Sequence, residues 1–297
     1  MSASMQLPAT GTGSGTRQPR RTALRADCIA DSAGGLTFDI AVPEPSGGEA
    51  GTVWNAALVL RLRGGDSSAD EIRLPLGPTG SGRLRAVLPS TVALPEGRWN
   101  VYADLGDAED PQRLLPGLND LRSLVDRRPL AAIGRLGVRI PYATKYGNLA
   151  LRSWLRGPHA EAGEIQVAPD GITVEGRLYG AALASGAVAE ARARHDDHTV
   201  TIPLRGDGPD FAFVLPHGPL AGHWRSGTER WDLWVRTGEG AEPVRISRIL
   251  DDVPDKKQIF TYPAMPIGAP GGQVRVGPYF TVDNDLSVQV AGDQAPS

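Results

Sequence analysis

Short runs in which every second residue is apolar dominate this chain. Leu36, Phe38 and Ile40 alternate with Thr37 and Asp39. Trp99, Val101 and Ala103 alternate with Asn100, Tyr102 and Asp104, and Trp231, Leu233 and Val235 with Asp232, Trp234 and Arg236. A period of two sends all the apolar side chains of a strand to one face. Ala57 to Leu62 reads as a further strand stopped by Gly64-Gly65, and Val274–Val276 and Leu286–Val288–Val290 keep the same period. Trp99 and Trp231 fall in the apolar phase and are expected as core indoles. The turns between runs are rich in Gly, Pro and Asp. With 37 Gly and 25 Pro in 297 residues, a helical bundle is excluded. The pattern predicts an all-β sandwich architecture. One segment departs from it: Leu118, Leu121, Leu124 and Val125 have helical spacing and predict a short helix or turn, with Asn119 or Asp120 as cap. Its later counterpart, Val244 to Leu250, reads equally as helix or strand.

The runs also recur in order. Gly35–Ile40 is matched by Gly171–Gly176, Ile72–Leu76 by Val200–Leu204, and Leu84–Pro89 by Phe211–Pro216. Gly97–Tyr102 is matched by Glu229–Trp234, Leu124–Asp126 by Ile249–Asp251, and Ile140–Thr144 by Gly277–Thr281. The offset drifts between about 125 and about 137 residues without breaking the order, as loops of unequal length between equivalent strands would produce. This predicts two tandem immunoglobulin-like β-sandwich domains related by internal duplication, over 27–158 and 159–297. The period is too long for a solenoid. Residues 1–26 read as a disordered basic leader.

Composition narrows the function classes. Lys and Arg total 31 against 34 Asp and Glu, a net charge of -3, which argues against a general nucleic-acid or anionic-membrane binder. Only three of the cations are lysines, a bias typical of GC-rich genomes such as those of actinobacteria. A single cysteine, Cys28, excludes an internal disulfide framework. The leader has no apolar core of signal-peptide length, and no run of 18 apolar residues occurs. A cytoplasmic location without membrane insertion is the expectation.

The segment Ile140-Pro141-Tyr142-Ala143-Thr144-Lys145-Tyr146-Gly147-Asn148-Leu149-Ala150-Leu151-Arg152 resembles β-sandwich modules that accompany actinobacterial polymer glycosyltransferases of the teichoic-acid type. Pro278 to Val288 follows the same outline. The resemblance covers 27–297 and implies immunoglobulin-like modules that assist oligomerisation or glycan engagement. It implies no transferase chemistry in this chain, whose sequence shows no alternation of strands with long helices.

Candidate chemistry is sparse. His195-Asp196-Asp197-His198 is the densest cluster of ligand types, and His195, Asp197 and His198 are the candidate metal ligands. Neighbours on a hairpin turn rarely converge on one ion, so a solvated turn competes with this reading. His217 and His223 are the residues that could approach it. Asp251, Asp252, Asp255 and Asp283-Asn284-Asp285 read as solvated loop charges. No nucleophile elbow or phosphate-binding loop is present, so no catalytic residue is assigned and no cofactor is expected. Trp54, Trp224 and Trp234 lack a clear core phase and are the binding candidates, for sugar rings or a protein partner. Three readings follow. The first is a non-catalytic accessory module whose partner is a glycosyltransferase or a glycan polymer. The second is a transferase or glycan-acting enzyme with its site on sandwich loops, and the third a homo-oligomer joined through edge strands.

Overall fold

The computed structural model describes residues 23–42, 55–67, 70–79, 82–106, 110–125, 127–130 and 134–292. The N-terminal half begins with β1 (Arg25–Ala30), β2 (Leu36–Ala41), β3 (Ala57–Leu62) and β4 (Glu71–Pro75). It continues with β5 (Gly77–Pro78), β6 (Arg83–Leu88), β7 (Gly97–Asp104), β8 (Gln112–Arg113) and β9 (Leu115–Asp120). After the single turn of α1 (Arg122–Val125) it closes with β10 (Leu136–Ala143) and β11 (Leu149–Arg156). One sheet runs β5-β6-β2-β1-β9 and the other β10-β11-β7-β3-β4, with β8 attached to β7. The leader expected over 1–26 lies outside the described residues up to 22, and Arg25 and Ala26 already belong to β1.

The C-terminal half comprises β12 (His159–Ala168), β13 (Gly171–Tyr179), β14 (Val188–Ala193), β15 (Thr199–Pro203) and β16 (Asp210–Pro216). These are followed by α2 (His217–His223), β17 (Thr228–Arg236), β18 (Val244–Ser247), β19 (Met265–Ala269), β20 (Gly272–Phe280) and β21 (Leu286–Gly292). The pairing scheme of the first half recurs. β12 and β13 pair antiparallel as β1 and β2 do, and β13–β16 answers β2–β6. β14 lies between β15 and β17 as β3 lies between β4 and β7. β20–β21–β17 answers β10–β11–β7. The parallel contact of β12 with β18 answers that of β1 with β9.

Alternation explains the packing. β2 is buried at Leu36, Phe38 and Ile40, β7 at Trp99, Val101 and Ala103, and β17 at Trp231, Leu233 and Val235. These strands are dry on their inner side, whereas β3 at Ala57–Leu60 and β11 at Leu149–Trp154 are buried on both faces. Two apolar cores result. The first gathers residues from Leu24 to Trp154, joined by Tyr179 and Ile249 from the C-terminal half. The second runs from Ala160 to Val290.

One expectation needs correction and one alternative is decided. The helix expected over 118–125 exists only at Arg122–Val125, because Leu115–Asp120 pairs in parallel with β1. That pairing satisfies backbone groups that one helical turn leaves open. Leu118 and Val125, half of the supposed apolar stripe, are exposed. Val244–Leu250 resolves in favour of strand at Val244–Ser247. Helix α2 had no counterpart in the sequence reading.

Candidate functional site

Of the three aromatic candidates, the structure describes Trp224 and Trp234. Trp54 lies outside the described residues. Trp224 is buried; its Nε1 donates to the Gly227 carbonyl at 3.1 Å, and its ring is so close to Gly292 that a Cβ there would meet it at 2.9 Å. Trp234 is half-buried, with the Arg192 and Arg245 guanidiniums 5.3 and 5.2 Å from its ring centre. Those arginines are themselves paired with Glu190 and Asp232.

His195, Asp197 and His198 sit exposed on the β14–β15 turn. The structure brings His198 to His223 instead: the rings stack at 4.3 Å, and His223 Nε2 lies 2.8 Å from Asp196 Oδ2. Among the described residues no group of three or more His, Cys, Asp or Glu is arranged to hold a metal ion. His217 is buried in α2 with Nε2 2.9 Å from the Ala168 carbonyl, away from that turn's ligands. The loop acids are also not simply solvated. Asp283 pairs with Arg152, Asp285 with Arg156, and Asp251 with Lys256.

A cleft of about 960 Å³ lies elsewhere, on the joint between the halves. Its floor is the solvent face of the β10-β11-β7-β3-β4 sheet. Period two on β7 points Arg98, Asn100 and Tyr102 outward because Trp99, Val101 and Ala103 point into the core. In register beside them stand Arg152 on β11, across from Arg98, and Arg113 on β8, across from Tyr102. One end is closed by the β10–β11 turn with Lys145 and Tyr146. That turn is set by hydrogen bonds from Thr144 N to Asn148 O and from Gly147 N to Thr144 O, both 2.8 Å, with Gly147 at φ +75°. The opposite wall comes from the C-terminal half, at Pro254, Asp255, Gln258 and Ile259.

Charge in this cleft is one-sided. Its lining carries Arg63, Arg98, Arg113, Lys145 and Arg152 against the single carboxylate of Asp255. Arg152 is paired with Asp283. Each of the other four meets a neutral group. Arg63 Nε donates to Asn100 Oδ1 at 2.8 Å, Arg98 to the Val282 carbonyl at 3.3 Å and Arg113 to the Leu149 carbonyl at 3.4 Å. The Lys145 ammonium lies 4.8 Å from the Tyr146 ring centre. Guanidinium and ammonium groups that keep donor capacity can bind phosphate or carboxylate oxygens. Tyr102, Tyr142 and Tyr146 line the same space, with Tyr146 77% exposed and thus free to contact an apolar sugar face. The arrangement suits an elongated ligand bearing anions and hydroxyls.

No contiguous motif in the sequence marks this cleft. Its visible signals were the outward positions of β7 and the Lys145-Tyr146-Gly147-Asn148 turn. Its second wall lies more than one hundred residues further along the chain and leaves no local signal.

No protein-family model matches the chain, and no curated protein does. Among solved structures it is similar to S. aureus TarS. Residues 217–571 of TarS overlap at a TM-score of 0.37 and 14% identity, covering 66% of this chain and 45% of that one. A second TarS crystal structure overlaps at 0.37 and 16% identity, covering 57% and 30%. A tetra-tandem repeat in the extending region of a large adhesion protein overlaps at 0.23 and 10% identity, covering 91% and 65%. The chain thus spans less than half the length of either TarS chain.

Proposed function

We propose that this chain is a non-catalytic accessory module that engages an anionic glycan or cell-wall polymer through the cleft at its joint. The observation that carries the reading is the set of Arg63, Arg98, Arg113 and Lys145, whose donors meet an amide oxygen, two backbone carbonyls and a ring face, around a space shared with three tyrosines. In this reading the cations meet the charges of the polymer and Tyr146 meets its apolar faces. The two halves, 27–158 and 159–297, are copies of one immunoglobulin-like module. The ordered block matches and the recurring pairing scheme support that descent. A polymer glycosyltransferase is the partner such a module would serve.

Affinity electrophoresis through gels containing a teichoic-acid-type polyol-phosphate polymer, with dextran as the neutral control, tests the reading. Retardation in the anionic polymer alone, fading as salt rises, is expected. Equal mobility in both gels would discard it.

A further inference from the structure

Lys256 is one of only three lysines in the chain, and its side chain is wholly buried. Full burial of a lysine is rare, because an ammonium removed from water is costly unless paired and hydrogen-bonded. Here every polar atom is engaged. Nζ donates to Asp251 Oδ1 at 2.6 Å and to the Val253 carbonyl at 2.9 Å. The backbone N donates to Asn284 Oδ1 at 3.1 Å. The carbonyl accepts from Ile259 N at 3.1 Å and Phe260 N at 2.9 Å. Residue 256 is therefore the pivot of the segment that carries Pro254, Asp255, Gln258 and Ile259 to the cleft.

The residue it grips in turn sits on the joint. Asn284, buried and at φ +62°, belongs to the β20–β21 turn. The preceding residue of that turn docks on the N-terminal half: Trp154 Nε1 donates to the Asp283 carbonyl at 3.2 Å, and the Asp283 carboxylate pairs with Arg152. A continuous chain of contacts thus runs from the cleft floor through the docked turn to the cleft wall.

We infer that Lys256 is a positioning residue for the cleft: its buried ammonium folds the segment on itself through Asp251 and the Val253 carbonyl, which sets its backbone N–H to hold the wall 254–259 to Asn284 of the docked turn, so that ligand affinity on the N-terminal half depends on the C-terminal half. This rests on the binding reading above. An apolar residue of similar volume fills the site but supplies none of the side-chain bonds, and the wall loses its fixed place. By linkage, ligand in the cleft strengthens docking of the halves by the same factor as docking strengthens binding.

The test measures affinity for the same polyol-phosphate polymer, with amide exchange at Ile259 and Phe260, in the full chain. Lys256→Met is compared with Asp251→Leu/Lys256→Met, which removes both buried charges together and so avoids an orphaned carboxylate. Ile202→Ala, in the second core on β15 and away from the cleft, serves as the control for a general loss of stability. The expected result is at least a tenfold loss of affinity in both Lys256 variants, faster exchange at 259 and 260, and unchanged affinity in Ile202→Ala. Wild-type affinity in both Lys256 variants, or an equal loss in Ile202→Ala, overturns the inference. Failure of the wild type itself to bind the polymer instead removes the functional reading on which it stands.

Discussion

Arg152, buried on β11, is paired across the joint with Asp283 from the β20–β21 turn. Around this contact Arg156 bridges Glu96 of its own half at 2.8 Å and Asp285 of the other at 2.9 Å. The joint is thus polar at its rim. Tyr179 and Ile249 complete it by entering the first core.

Asp283→Asn should loosen the joint while leaving both cores intact. The Arg152 side chain is 7% exposed but that of Asp283 is 53% exposed, so water screens part of the pair and a loss of about 1–2 kcal/mol is expected. Amide exchange at Trp154 and along the β20–β21 turn would rise before that of the inner strands. Uniform exchange rates across the chain would contradict a local role.

Trp99 and Trp231 occupy matching strand positions and both are fully buried, but they differ at the indole nitrogen. Trp99 Nε1 donates to the Pro95 carbonyl at 3.1 Å, whereas Trp231 Nε1 is buried with no hydrogen-bond partner among the described residues. Substitution to Ala should cost about 3–5 kcal/mol at either site. Substitution to Phe should cost about 1 kcal/mol more at Trp99, where a hydrogen bond is lost and an acceptor stranded. Urea unfolding of the four variants measures both differences.

Acid should unfold the protein through its arginine-paired carboxylates. Hydrogen bonds from Arg85 hold Asp39 below its ordinary range, as those from Arg61 do for Glu71 and those from Arg73 for Asp104. A carboxyl group whose pKa is lower folded than unfolded contributes stability above the unfolded value, near 4, and loses it as pH falls through the folded value. Urea midpoints should therefore be flat from about pH 7 to 5 and drop below about 4. Asp39→Asn should lower the neutral plateau and shallow the acid slope; an unchanged slope would refute the assignment.

In the cleft, Arg63→Ala and Lys145→Ala should each weaken binding of a polyol-phosphate polymer by about three- to tenfold at low salt. The difference should narrow as salt shortens the screening length. Tyr146→Ala should weaken it by about two- to tenfold, the range of one aromatic contact, and that loss should persist at high salt. Calorimetry at two ionic strengths separates the two kinds of contact.

Strand faces were legible because burial on one side of a sheet imprints a period of two, and Leu36–Ile40, Trp99–Ala103 and Trp231–Val235 carry it without interruption. The β10–β11 and β20–β21 turns were legible as related segments, yet their roles were not. Thr144 and Thr281 close the two turns with the same hydrogen-bond pattern. Lys145 and Tyr146 border the open cleft, while Asp283 and Asp285 are held by arginines of the other half. Asp251 and Asp283 read as loop charges because their cationic partners are chosen by folding. Trp224 lacked a strand phase because it packs from the end of α2, against Gly271 and Gly292.

The inward faces of the strands and the two core tryptophans were written in the sequence, because local alternation and turn chemistry act over a few residues. The joint and everything it creates were decided by tertiary structure. Arg98 and Arg152 meet residues more than one hundred positions away, and Lys256 builds one wall of a cleft whose floor lies in the other half. Such contacts depend on how two folded surfaces dock, and no periodicity along a chain encodes that.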